Sequence, residues 1–71
     1  MNKITETIQK YSYQVHYSSE DECYVSECEE LGIMAHGNTQ EEGIAAIMQA
    51  TRVHLLMMEE DKEEIPAPIG K

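Results

Sequence analysis

The sequence predicts an α+β domain in which a three-stranded antiparallel sheet is covered on one face by one long helix and followed by an extended tail. Three observations predict it. Residues 11–17 alternate between large apolar and polar side chains, which is typical of a half-buried strand. Residues 36–42 combine a turn with a helix start. From residue 40 to about residue 61, apolar side chains recur at helical spacing.

A polar N-terminal segment, residues 1–10, precedes a single domain at residues 11–71. Ile4 and Ile8 stand four positions apart, so a helix would place both on one side. The segment therefore either packs one or two helical turns against the domain or frays.

Three strands follow in the pattern. The first covers residues 11–17, and the polar turn 18–22 is too short for anything except a hairpin connection. The second covers residues 23–28 and pairs antiparallel with the first. Residues 29–32 break it, and residues 33–36 give a short third strand. The second strand has two possible core faces, between which the pattern does not decide: Cys23, Val25 and Glu27, or Tyr24, Ser26 and Cys28.

The start of the long helix is marked by its capping residues. Thr39 is a favourable N-cap, and Glu42 completes a T-x-x-E capping box. Gly37 and Asn38 suit a tight turn because both tolerate positive φ. Gly43 weakens the first turns, which a close approach of the backbone to the sheet would explain. The apolar stripe consists of Ile44, Ile47, Met48, Thr51, Leu55 and Met58, widened by Ala50 and Met57.

The end of the chain is predicted to be extended, because Pro66 and Pro68 forbid helix and restrict the residues before them. One helix covers one face of the sheet, and the other face is either solvated or an interface.

The charge balance favours some partners over others. The 71 residues carry a net charge of −9, from 14 acidic and 5 basic residues. Without a basic cluster, direct nucleic-acid binding is disfavoured, whereas pairing with a basic protein is favoured. The polar N-terminus does not resemble a signal peptide, and no apolar run is long enough to span a membrane. We therefore expect a cytoplasmic protein.

The cysteines and histidines do not form a recognisable site. Cys23 and Cys28 fall on opposite faces of one strand, which argues against a disulfide between them. Together with His16, His36 and His54 they lack the C-x2-C or H-x3-H spacing of a zinc site. The carboxylates do not converge either, so we predict no metal, no cofactor and no catalytic residue.

The order of these pieces resembles a known family. The pieces are the alternating tyrosines, the acidic turn 20–22, the strand 24–27, Glu30-Leu31-Gly32, the turn 36–42, the long helix, and Ile65-Pro66-Ala67-Pro68. Over residues 11–68 the chain resembles the N-terminal, partial RNase-H-like domain of HicB-type antitoxins. It departs from the family pattern at Glu29, where a proline is usual, and at Gly43, where an alanine is usual. The family's usual C-terminal DNA-binding domain does not fall within these 71 residues, and if the protein is complete, operator binding is not carried over.

The resemblance implies a function. HicB-type proteins bind a small basic HicA-like toxin, an mRNA interferase, and cover its RNA-binding and active surface. We expect an acidic surface to compete with RNA phosphates for that toxin, with one tyrosine as an aromatic anchor. The expected contact residues are Glu20, Asp21, Glu22, Tyr24, Glu27, Glu29 and Glu30.

An alternative from another class stays open. The chain would be a stand-alone HicB-like domain with a sensing or scaffolding role and no cognate toxin. It would form homo-oligomers, dimers or higher, through the open sheet face or an edge strand. Oligomerisation is compatible with both functions.

Overall fold

The computed structural model describes residues 3–69. It contains one antiparallel sheet in the order β1-β2-β3, with a long helix packed on one face. This confirms the predicted α+β architecture. Residues 1–2 of the predicted N-terminal segment and 70–71 of the predicted domain lie outside the described residues. The elements are α1 (Lys3–Lys10), β1 (Tyr13–Ser18), β2 (Cys23–Cys28), β3 (Ile33–Gly37) and α2 (Gln40–Glu60).

The N-terminal segment packs rather than frays. Residues 3–10 form α1, which lies against α2, and Ile4 and Ile8 are each only 2 % exposed. The alternation predicted that the first strand begins at Tyr11, but β1 begins at Tyr13. Tyr11 lies in a bend after α1, where its N–H donates to the carbonyl of Ile8 at 3.4 Å. Tyr11 is nevertheless buried, since the bend turns its side chain into the same core.

The register of the sheet decides which face of β2 is buried. Ser26 and Cys28 are fully buried, so the face of Tyr24, Ser26 and Cys28 packs beneath α2. The alternate residues of β2, Cys23 among them, belong to the open face. The two cysteines are free and lie on opposite faces, as predicted.

Capping at the start of α2 is close to the predicted arrangement. The hydroxyl of Thr39 accepts the N–H of Glu42 at 3.1 Å. The Glu42 carboxylate accepts the N–H of Asn38, one residue earlier than in a reciprocal capping box, at 2.9 Å. Neither Gly37 nor Asn38 has positive φ, so the prediction that this turn uses their tolerance of positive φ was wrong. A Cβ at position 37 would lie 2.6 Å from the backbone nitrogen of Gly43, so glycine is required there by close approach.

The core lies between α2, α1 and the sheet. Gly43 approaches the sheet as predicted: a Cβ there would lie 3.1 Å from Cγ2 of Val15. Ile47, Thr51 and Leu55, on the inner side of α2, are fully buried. Met57 is 59 % exposed and therefore does not belong to the predicted apolar stripe. The apolar core consists of Ile4, Ile8, Tyr11, Cys28, Ile47 and Leu55.

A C-cap turns the chain from α2 into the tail. Lys62 has φ +59°, and its N–H donates to the carbonyl of Glu59 at 3.1 Å. The N–H of Glu63 reaches back to the carbonyl of Met58 at 2.8 Å, which completes a Schellman motif. The tail then has no regular secondary structure, and Ile65 packs against the core. In the part of the chain described, neither helix combines the length and apolar character needed to cross a bilayer.

Candidate protein-binding surface

The turn between β1 and β2 carries three exposed carboxylates, those of Glu20, Asp21 and Glu22. Ser18 fixes its shape, since its hydroxyl donates to Asp21 Oδ2 at 3.2 Å and lies 3.3 Å from the N–H of Asp21. Glu22 has φ +53°, which closes the turn into β2. Within residues 3–69 the carboxylates of Glu20 and Glu22 have no hydrogen-bond or ion-pair partner. Their charge is therefore available to an external group.

An aromatic pair lies beside this acidic turn. Tyr17 and Tyr24 face each other across β1 and β2, with ring centroids 5.3 Å apart and planes at 68°. This edge-to-face contact holds both rings in place. Tyr17 is 55 % exposed and Tyr24 is half-buried. A partner at the acidic turn would therefore meet a fixed apolar surface next to the charges.

The remaining predicted contact residues lie towards the other end of β2. Glu29 is exposed and accepts a hydrogen bond from Gln14 Nε2 at 3.1 Å. Glu27 lies on the open face between Gln14 and Met34. Because β2 spans six residues, the acidic turn and Glu29 are about 20 Å apart. The predicted residues therefore form two groups at opposite ends of one strand rather than a single cluster.

Glu30 has a different environment from the other six. Its carboxylate accepts the N–H of Ser12 at 2.9 and 3.0 Å and the N–H of Ile69 at 2.8 Å. Burial opposes ionisation, but these backbone hydrogen bonds outweigh it and lower the pKa of Glu30. The ionised side chain holds parts of the fold together. Sequence reasoning missed this role, because its donors lie 18 and 39 positions away.

The buried Tyr11 and the half-buried Tyr13 are likewise structural. The hydroxyl of Tyr13 donates to the carbonyl of Ile8 at 2.7 Å, and that of Tyr11 donates to the carbonyl of Pro66 at 2.6 Å. Burial, with a smaller contribution from Cys28, raises the pKa of Tyr13 to about 12. Burial also raises the pKa of Tyr11. Neither hydroxyl is poised for proton transfer near neutral pH.

The open face of the sheet adds residues that the sequence did not single out. A shallow depression there is lined by Asp21, Glu22, Val25, Met34 and His36, among others. Met34 is 63 % exposed. The sequence could have indicated these residues, because successive side chains of a strand point to opposite faces. In residues 33–36 this places Met34 and His36 on one face and Ile33 and Ala35 on the other. The acidic turn therefore borders an aromatic pair on one face of the sheet and a depression of mixed polarity on the other.

The described part of the chain contains no arrangement of side chains that would bind a metal ion. Within residues 3–69, no three His, Cys, Asp or Glu side chains converge as ligands would. The exposed features of this end of the sheet are negative charge and aromatic surface, which suit recognition of a positively charged protein.

Comparison of the chain with protein-family models, with curated proteins and with solved structures gives no match. The resemblance to HicB-type antitoxins therefore rests on the order and spacing of the residues quoted above. The fold alone does not choose a function, because two-layer α+β domains serve many.

Proposed function

We propose that this domain is an inhibitory binding module of the HicB type, which holds a small basic mRNA interferase of the HicA type and neutralises it. The observation that carries the proposal is the acidic turn, whose carboxylates of Glu20 and Glu22 are unpartnered within residues 3–69 and lie beside the Tyr17–Tyr24 pair. A net charge of −9 supports it, since an RNA-cleaving toxin must present a basic face to its substrate.

Inhibition would follow from competition for that basic face. The carboxylates attract the Lys and Arg side chains that otherwise hold RNA phosphates, and long-range attraction speeds the encounter. The ring of Tyr24, fixed against Tyr17, supplies an aromatic anchor of the kind that dominates many interfaces. The bound domain then covers the toxin's active surface, so no catalytic residue or cofactor is needed from this chain. We place the complex in the cytoplasm, where mRNA is cleaved.

The separation of the two acidic groups is compatible with one interface. A standard interface buries about 800 Å² on each partner, which corresponds to a patch roughly 30 Å across. Such a patch spans the distance of about 20 Å along the open face of β2, so Glu27 and Glu29 can contact the same toxin as the acidic turn. Tyr17 and Tyr24 lie on the opposite face of the sheet, beside α2, so they meet this toxin only where it wraps around the acidic turn. Glu30 is excluded from our contact set because backbone donors occupy its carboxylate.

The proposal predicts that a short basic protein is encoded beside this gene, and the test is co-expression with that protein. We expect a stable complex and rescue of growth. Glu20→Gln/Asp21→Asn/Glu22→Gln should weaken the complex at least tenfold, and added salt should weaken the wild-type complex. The matched control, Glu6→Gln/Glu63→Gln/Glu64→Gln, removes the same charge elsewhere and should bind normally. Absence of both complex and rescue with the wild-type chain would overturn the proposal.

A second candidate, self-association without a toxin, is favoured by the sheet edges. Both outer strands, residues 13–18 and 33–37, lack charged residues and proline, which usually protect an exposed edge. Homo-oligomers could therefore form by strand pairing or through the open face around Met34. Light scattering tests this idea, because we expect the mass to fall to one chain in Met34→Lys. A wild-type chain that stays monomeric at high concentration counts against it.

A further inference from the structure

The outer edge of β1 presents backbone groups without partners. The carbonyl of Ser12 accepts the N–H of Glu29 at 3.0 Å, one step beyond the last pair of the β1–β2 register. Because hydrogen-bonded pairs alternate along an antiparallel ladder, the N–H and C=O groups of Tyr13, Val15 and Tyr17 point away from β2. Within residues 3–69 nothing hydrogen-bonds to them, and no other strand or helix lies along this edge. The edge can therefore accept one more strand.

A shallow apolar depression lies beside this edge, on the helix side of the sheet. It is present because α2 packs mainly over β3 and β2 and leaves β1 partly uncovered. Its apolar lining consists of Val15, Ile44, Ala45 and Met48. Val15, Ile44 and Met48 are only half-buried. A strand added to β1 places alternate side chains on this side of the sheet, so the side chain opposite Val15 fills the depression.

One end of the depression is negatively charged. Glu41 lines it, is exposed, and has no partner for its carboxylate within residues 3–69. This end lies towards Tyr17, because Gly37, just before α2, pairs with Tyr24, which in turn pairs with Tyr17. Residues 11–51 contain no Lys or Arg. A counter-charge for Glu41 must therefore come from the occupant of the depression.

We infer that the edge of β1 is a docking site for an extended segment of a partner protein, which pairs antiparallel with β1 as a fourth strand. The unpaired backbone groups require an extended occupant. The depression selects an apolar, β-branched side chain opposite Val15, and Glu41 selects Lys or Arg at the end of the segment that lies towards Tyr17. A second copy of this chain fits less well, because its β1 brings no Lys or Arg to Glu41.

This docking site is separate from the proposed toxin surface. It lies on the helix side of β1, whereas the proposed toxin contacts lie on the acidic turn and the open face of the sheet. Peptide binding at the edge and toxin binding at the turn can therefore succeed or fail independently.

The experiment titrates the full, isotope-labelled chain with the end-capped synthetic peptide Thr-Lys-Thr-Val-Thr-Val-Thr. Antiparallel pairing with the first Val opposite Val15 places the Lys opposite Tyr17, on the helix side and towards Glu41. We expect amide hydrogen exchange of Tyr13, Val15 and Tyr17 to slow by about tenfold at saturation, because their N–H groups become hydrogen-bonded.

Two control peptides separate backbone pairing from charge. An N-methyl group on the first Val removes the N–H that donates to the carbonyl of Val15, and this peptide should bind about tenfold more weakly. A peptide with Glu in place of Lys should bind about fivefold more weakly. Glu41→Gln should remove the preference for Lys. The matched control Glu6→Gln, an exposed acidic residue in the first turn of α1, should keep that preference.

The apolar contact is tested from both sides. Ile44→Ser should weaken binding of the Lys peptide about tenfold, because it removes apolar surface from the depression. Met34→Ser changes an exposed side chain on the open face and should bind as wild type. If Ile44→Ser fails to fold, a peptide with Ser in place of the first Val makes the same test on the wild-type chain.

Three results would overturn the inference. One is slowed exchange at Met34 and His36, whose N–H groups point outward at the opposite edge, instead of along β1. Another is equal binding of the N-methylated peptide, which would exclude strand pairing. The third is exchange at Val15 and Tyr17 that is already slow without peptide and becomes faster on dilution, because a second copy would then occupy the edge.

Discussion

The carboxylate of Glu30 accepts the backbone N–H of Ile69 at 2.8 Å, although the two residues are 39 positions apart in sequence. The same carboxylate accepts the N–H of Ser12, just before β1. One side chain in the β2–β3 turn therefore joins the start of the sheet to the C-terminal tail. The hydrogen bond from Tyr11 to the carbonyl of Pro66 holds the tail at a second point.

Replacing this side chain should destabilise the fold. Glu30→Gln removes the charge from two sets of backbone hydrogen bonds, and we expect a loss of about 1–2 kcal/mol in the free energy of unfolding. Urea denaturation measures it. The control is Glu29→Gln, the neighbouring carboxylate, which is exposed and bonds only to the exposed side chain of Gln14. It should change stability by less than about 0.5 kcal/mol.

The pH dependence of the stability difference between wild type and Glu30→Gln follows from the direction in which the pKa of Glu30 is shifted. Burial raises the pKa of Glu30, but the hydrogen bonds from the N–H groups of Ile69 and Ser12 lower it by a larger amount. The pKa of Glu30 therefore lies below its ordinary value of 4.5. A carboxyl with a lowered folded pKa stabilises fully above its unfolded pKa and loses that contribution as the pH falls through the folded value. The stability gap between wild type and Glu30→Gln should therefore be constant near neutrality and shrink below pH 4.5. A gap that widens in acid would contradict this assignment.

The order of elements was predictable because its signals are local. Alternation over a few residues predicts a strand, and Thr39 with Glu42 marks a helix start whatever the rest of the chain does. The apolar stripe of α2 could be predicted from the helical spacing of its residues alone, and the buried Ile47, Thr51 and Leu55 follow that spacing.

The arrangement of the acidic residues was not predictable in the same way. Glu22 and Glu29 are seven positions apart in sequence, yet an extended strand separates them by about 20 Å. The role of Glu30 depends on donors brought in by the tail, and the buried face of β2 depends on where α2 packs. These features arise from long-range contacts that no local pattern contains.

Lys62 should be replaceable with a gain in stability. It occupies the left-handed position of the Schellman motif, with φ +59°, where a side chain costs roughly 1 kcal/mol relative to glycine. Lys62→Gly should therefore raise the free energy of unfolding by about 1 kcal/mol, as measured by thermal unfolding. Lys62→Ala keeps a Cβ and should give no comparable gain. Equal gains for both variants would show that the lysine charge, not the backbone, is responsible.

Gly37 should tolerate substitution less well than Gly32. A Cβ at position 37 would meet backbone atoms, Gly43 N at 2.6 Å and the Glu42 carbonyl carbon at 2.7 Å, which cannot move without shifting α2. We expect Gly37→Ala to cost at least about 2–3 kcal/mol. Gly32 has φ +66° and open space around it, so Gly32→Ala should cost only about 1 kcal/mol. Urea midpoints of the two variants give the order, and the reverse order would contradict the close approach.

Ser26 offers a test of a buried hydroxyl. Its side chain is fully buried, and its Oγ has no hydrogen-bond partner within residues 3–69. An unsatisfied buried hydroxyl is unfavourable, so Ser26→Ala should leave stability unchanged or raise it by up to about 1 kcal/mol. Cys28 lies on the same buried face, and Cys28→Ala also removes one γ atom. Because that atom is fully buried and donates a hydrogen bond to Glu30 Oε1 at 3.8 Å, Cys28→Ala should cost about 1 kcal/mol. A loss for Ser26→Ala as large as that for Cys28→Ala in urea unfolding would mean that the Ser26 hydroxyl is satisfied.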